Sequence, residues 1–105
     1  MTKISTDTHE FTISIIIHGD LEILNPVYPT AVESGEEFNI EYDVKNNGNN
    51  DTCYGEIVDL GTSNIMTGSD WQTTINAGST IHRTYTVSGG ITTDLSAKID
   101  VGYVK

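Results

Sequence analysis

The stretch Phe38-Asn39-Ile40-Glu41-Tyr42-Asp43-Val44-Lys45 decides the fold. In an extended chain Phe38, Ile40, Tyr42 and Val44 point one way and Asn39, Glu41 and Asp43 the other. A period of two of this kind predicts a half-buried strand, its apolar face on a core and its acidic face in water. Asn46-Asn47-Gly48-Asn49-Asn50-Asp51 follows. Asn and Gly tolerate positive φ, so the sequence predicts a hairpin-type turn there. Residues 53–60 read as the next strand.

The same pattern continues outward in both directions. Residues 61–69 form a loop with room for a short edge strand at Asn64-Ile65-Met66, and residues 71–75 are a strand closed by the turn Ala77-Gly78-Ser79. Ile81, Tyr85 and Val87 mark another, with Arg83 in register as an exception, and Gly89-Gly90 breaks it. Leu95, Ala97, Ile99, Val101 and Tyr103 mark the last. Upstream, Glu33-Ser34-Gly35-Glu36 is a turn, and residues 21–24 are a short strand ended by Asn25-Pro26 and Pro29. Phe11, Ile13, Ile15 and Ile17 alternate with Thr12 and Ser14 in a first strand. Helical periodicity is absent throughout. Short strands with regularly spaced turn signals predict an antiparallel immunoglobulin-like β-sandwich of about seven strands with Greek-key connections.

Residues 20–104 resemble the CARDB-like family of immunoglobulin-like domains, named for cell adhesion in bacteria and archaea. The residues that carry the likeness are the opening strand and prolines of 21–29, the Gly35-Glu36 turn, the alternating strand of 38–44 closed by Asn46-Asn47-Gly48, the Ala77-Gly78-Ser79 turn and the final strand at 99–104. The resemblance implies a sandwich fold and an extracellular or surface role, with no catalytic residues to carry over. Residues 1–19 precede the usual start of the family pattern. The expected organisation is therefore an N-terminal extra strand or arm over 1–19 and the sandwich over 20–105.

Five Lys and Arg stand against fifteen Asp and Glu, a formal net charge of −10. Such a surface repels polyanions, so neither nucleic acid nor an anionic membrane is an expected partner. No apolar run approaches the length that spans a bilayer, and Lys3 is followed by polar residues where an export signal would carry an apolar core. Cys53 is the single cysteine, so no intrachain disulfide joins the sheets; an interchain bridge or a free thiol stays open.

Candidate chemistry is sparse. His9, His18 and His82 read as surface residues, and nothing forms a nucleophile elbow or a phosphate loop. A calcium loop begun at Asp43 fails, because Lys45 and Tyr54 fall where oxygen ligands are needed. Catalytic, cofactor and metal residues are therefore expected to be none, with turn chemistry accounting for Asn47, Asn49 and Asp51. Asn50-Asp51-Thr52 fits a glycosylation sequon in an exposed turn. Trp71 opens a strand after Ser69-Asp70 and is the candidate ligand contact, as a sugar-stacking platform.

The N-terminal strand is the anomaly. It carries no charge, and Ile16 puts an apolar side chain on the face that Thr12 and Ser14 make polar. A strand apolar on both faces wants cover on both, and left as a bare edge it invites pairing with another chain. Phe11, Ile13, Ile15, Ile16 and Ile17 are therefore the candidate subunit contact.

The expected function is a non-catalytic structural module on the surface of an assembly, a virion decoration or tail component. Its partners would be protein subunits of an assembly, whether other proteins or copies of itself. The chain reads as a small module with its own Met1, and virion proteins assemble inside the cell and act outside it, which places the module on a virion or extracellular surface. The alternative is an extracellular adhesion or carbohydrate- or protein-binding module excised from a larger secreted protein.

Overall fold

A computed structural model of the protein describes residues 2–10 and 20–105. The proposed first strand at 11–17, and His18 with it, lie outside the described residues. Residues 2–10 are exposed and carry no strand. Seven strands follow: β1 Leu21–Val27, β2 Phe38–Asn46, β3 Asp51–Asp59, β4 Asn64–Ile65, β5 Trp71–Ile75, β6 Thr80–Val87 and β7 Ala97–Tyr103. All pairings are antiparallel. The architecture is thus all-β, as the alternation predicts.

One sheet has the order β1-β2-β6. In the other, β4, β5 and β7 all pair with β3. β7 runs beside residues 53–59 of β3 while β5 covers 51–55 and β4 covers 58–59, so these overlaps put β7 on one edge of β3 and β4 and β5 together on the opposite edge. Ser69 fills the step between β4 and β5. Its Oγ accepts from Ile57 N at 3.0 Å and donates to Ile57 O at 3.3 Å, satisfying a backbone edge that neither short strand reaches.

The core lies between the sheets. Ile40, Tyr42 and Val44 of β2 meet Cys53 and Ile57 of β3, Ile75 of β5 and Val87 of β6, and Phe38 packs at its margin. Burying each large apolar side chain of this set contributes roughly 1.5–3 kcal/mol. The outward residues Asn39, Glu41 and Asp43 pair across the sheet with Thr86, Thr84 and His82.

Two turns differ from their sequence reading. The segment after β2 is not a hairpin, because β2 and β3 belong to different sheets. Nor does it use positive φ: the described non-glycine residues with positive φ are Asn25 and Ser63, and Gly48 is not among the positive-φ glycines. Instead Asn46, fully buried at the end of β2, ties the arch with its side chain. Its Nδ2 donates to Asn49 O at 2.7 Å and to Ile75 O at 2.8 Å, and its Oδ1 accepts from Gly48 N at 2.9 Å. The second difference is in β1, which runs through Asn25-Pro26 to Val27. The register shifts between Leu24 and Val27, with Asn25 at φ 50°, so the pair that reads as a strand end makes a bulge.

Candidate functional site

The two long sides of the sandwich are finished differently. On the β5–β6 side, side chains stitch the sheets together. Trp71 pairs with Gly55, and its ring lies so close that a Cβ on Gly55 would sit 2.4 Å from it. Trp71 Nε1 donates to the Tyr42 hydroxyl at 2.8 Å, and the Arg83 guanidinium lies 4.8 Å from the ring centroid. The Tyr85 hydroxyl donates to Thr67 O at 2.7 Å. Arg83, the exception in the alternation of β6, is thus an inward residue with an aromatic partner. Burial pushes the Tyr42 hydroxyl above its ordinary pKa, which keeps it protonated beside the indole.

The β1–β7 side is open among the described residues. A groove of about 910 Å³ lies there. Ile23 and Ile40 line it from one sheet, Ile57 and Ile99 from the other, and Tyr28 and Leu95 from the loops at its mouth. Close-packed interiors hold few voids larger than a water molecule, so among the described residues nothing fills this side of the core. Val27, Tyr28 and Leu60 stand exposed beside or around it at 58%, 60% and 52%.

Both bordering strands turn backbone groups toward this opening. Asn47 N donates to Asp20 O, and Glu22 and Leu24 share the phase of Asp20, so the N–H and C=O of Leu21 and Ile23 face away from β2. Val104 N donates to Thr52 O and Leu60 N to Ser96 O, which sets the phase of β7. Residues 98, 100 and 102 bond to β3, and the N–H and C=O of Ala97, Ile99 and Val101 point outward. No described strand pairs with β7 on that edge.

The outer face of the first sheet carries a polar cluster. His82 Nδ1 is 2.7 Å from Asp43 Oδ1 and its Nε2 3.3 Å from Glu41 Oε1. Hydrogen bonding to Asp43 and then to Glu41 raises the His82 pKa, and the bonds from His82 and then Asn25 lower that of Asp43. Among the described residues no three of His, Cys, Asp and Glu converge as metal ligands. Cys53 is sealed in the core with no exposed surface, and burial raises its thiol pKa. Asn50 of the sequon is exposed, its Oδ1 accepting from Ala77 N at 2.7 Å.

Of the candidate contacts, Trp71 is half-buried and engaged by Gly55, Tyr42 and Arg83, while Phe11, Ile13, Ile15, Ile16 and Ile17 lie outside the described residues. The groove was not a sequence expectation. A signal for it was present, since Val27, Tyr28 and Leu60 are large apolar residues placed where strands give way to turns. Comparisons of the chain with protein-family models, with curated proteins and with solved structures give no match.

Proposed function

We propose that the protein is a non-catalytic structural subunit that assembles with copies of itself through the open side of its sandwich. The observation that carries this reading is the contrast between the sides: one is stitched by Trp71, Tyr42, Arg83 and Tyr85, and the other is a groove lined mostly by apolar side chains between two outward-facing strand edges. Exposed edges and exposed apolar patches are the features that recruit further chains. The resemblance to immunoglobulin-like and CARDB-like domains, which rests on the turn and strand pattern of residues 20–104, supports an extracellular or surface setting, and a virion surface is one such setting.

The groove has the volume of a small-molecule site. Its charged lining is limited to Asp94 and Lys98, and its walls end in backbone edges, which favours a polypeptide over a polar metabolite. The carbohydrate-binding alternative has less support, because the Trp71 ring is already engaged by three residues of its own chain. Sedimentation velocity of the full chain over a hundredfold range of concentration tests the proposal. Concentration-dependent assembly supports it, and a single monomeric species throughout overturns it.

A further inference from the structure

We propose that the groove between β1 and β7 receives residues 11–17 of a second copy of this chain, added as a strand along the outward edge of β7. The inference rests on the assembly reading and names the segment that joins the copies. Ala97, Ile99 and Val101 offer the ladder of donors and acceptors that an added strand requires. Ile99 and Val101 pack toward the core, so a strand beside them sends alternate side chains into the groove. Phe11, Ile13, Ile15 and Ile17 supply such a face, with no charge among residues 11–17. The lengths agree as well: the segment has seven residues, as β7 has.

Topology points to the same place. An immunoglobulin-type sandwich has a last strand beside the one that β7 matches, and among the described residues that position holds no strand. A second copy fits it better than the segment of the same chain. Leu21 pairs with Asn46 and Tyr103 with Cys53, so β1 begins at the end of the sandwich where β7 finishes. Residues 18–20 alone separate the segment from β1. Doubling back over that link would lay the segment antiparallel to β1 and hence parallel to β7, the less stable ladder. The segment of another copy is free to enter antiparallel to β7. Donor and acceptor surfaces then differ, so the contact either closes as a reciprocal exchange between two copies or runs head-to-tail into rings or open filaments.

The test compares the wild-type chain with the full-length variant Ile15→Lys by sedimentation and circular dichroism, and titrates the variant with a synthetic peptide of residues 2–19. We expect the variant to stay folded, to assemble at least about tenfold more weakly, and to bind the peptide one to one, while a peptide carrying the same lysine does not bind. Wild-type assembly that Ile15→Lys leaves unchanged overturns the inference and spares the assembly reading. So does a folded, monomeric variant that ignores the peptide while wild type assembles. Monomeric wild type with no peptide binding by the variant overturns both. Monomeric wild type with peptide binding by the variant puts the segment in its own groove and overturns the second-copy assignment. If Ile15→Lys unfolds, Ile13→Lys is measured the same way; unfolding of both shows that the segment completes its own fold and also overturns it.

Discussion

Replacing Asn46 with alanine should cost about 2–6 kcal/mol, far more than a turn asparagine ordinarily matters. The side chain is fully buried and makes three hydrogen bonds, to Asn49 O, Ile75 O and Gly48 N. Losing the partner of a buried backbone group costs roughly 1–3 kcal/mol, and each part-buried bond adds about 0.5–1.5 kcal/mol. The Ile75 bond is the costly one, because it joins the end of β2 to the opposite sheet. Domains of this size hold about 5–15 kcal/mol in all, so the melting temperature should fall by roughly 10–30 °C. Asn46→Asp is the sharper perturbation. It keeps the acceptor for Gly48 N and turns a second oxygen on the two carbonyls, so it should be no better than alanine. Urea unfolding followed by the fluorescence of Trp71, the single tryptophan, measures both variants; the midpoint should drop with an unchanged slope. A loss under about 0.5 kcal/mol for alanine, the range of ordinary surface substitutions, or an aspartate variant close to wild type, would refute the reasoning.

Gly55→Ala should cost about 1–3 kcal/mol by overpacking and alter Trp71 emission, since the new Cβ meets the indole ring; a wild-type spectrum and stability would show that the ring moves freely. The His82–Asp43–Glu41 cluster should give a modest pH dependence on both flanks. The raised His82 pKa contributes stability that is full below about 6.5 and lost as pH rises through the folded-state value, and the lowered Asp43 pKa contributes stability present above about 3.9 and lost as pH falls through its folded-state value. His82→Gln should flatten the alkaline flank of melting temperature against pH, and superimposable curves would count against the cluster. Cys53 should resist a thiol reagent in the native protein and react once unfolded, because it has no exposed surface; rapid native labelling would contradict its burial.

The alternation of residues 38–44 made β2 legible because facing a core leaves a local, period-two imprint. The same holds for Ile81, Tyr85 and Val87 of β6. What stayed hidden depends on contacts distant in sequence. Asn46 reads as turn chemistry, since its backbone preference is local and its bond to Ile75 is not. Arg83 stood out as an exception in its strand, yet its partner Trp71 sits on the other sheet, beyond the reach of periodicity. Asn25-Pro26 is a strand end by propensity and a bulge in context, because pairing with Glu41 resumes at Val27. The groove needed the most assembly. Its borders come from β1 and β7, near opposite ends of the chain, and neither strand signals alone that the other lies across from it.

Hydrogen exchange at β7 tests most directly whether the open side is an assembly surface. The N–H groups of Ile99 and Val101 point away from β3, while those of Asp100 and Gly102 bond to it. Exchange of the outward pair should be fast in dilute solution, and should slow to the level of Asp100 and Gly102 as concentration rises and the chain assembles. Outward amides that stay fast while the protein oligomerises, or that are fully protected in a dilute monomer, would contradict the claim that another chain completes this edge.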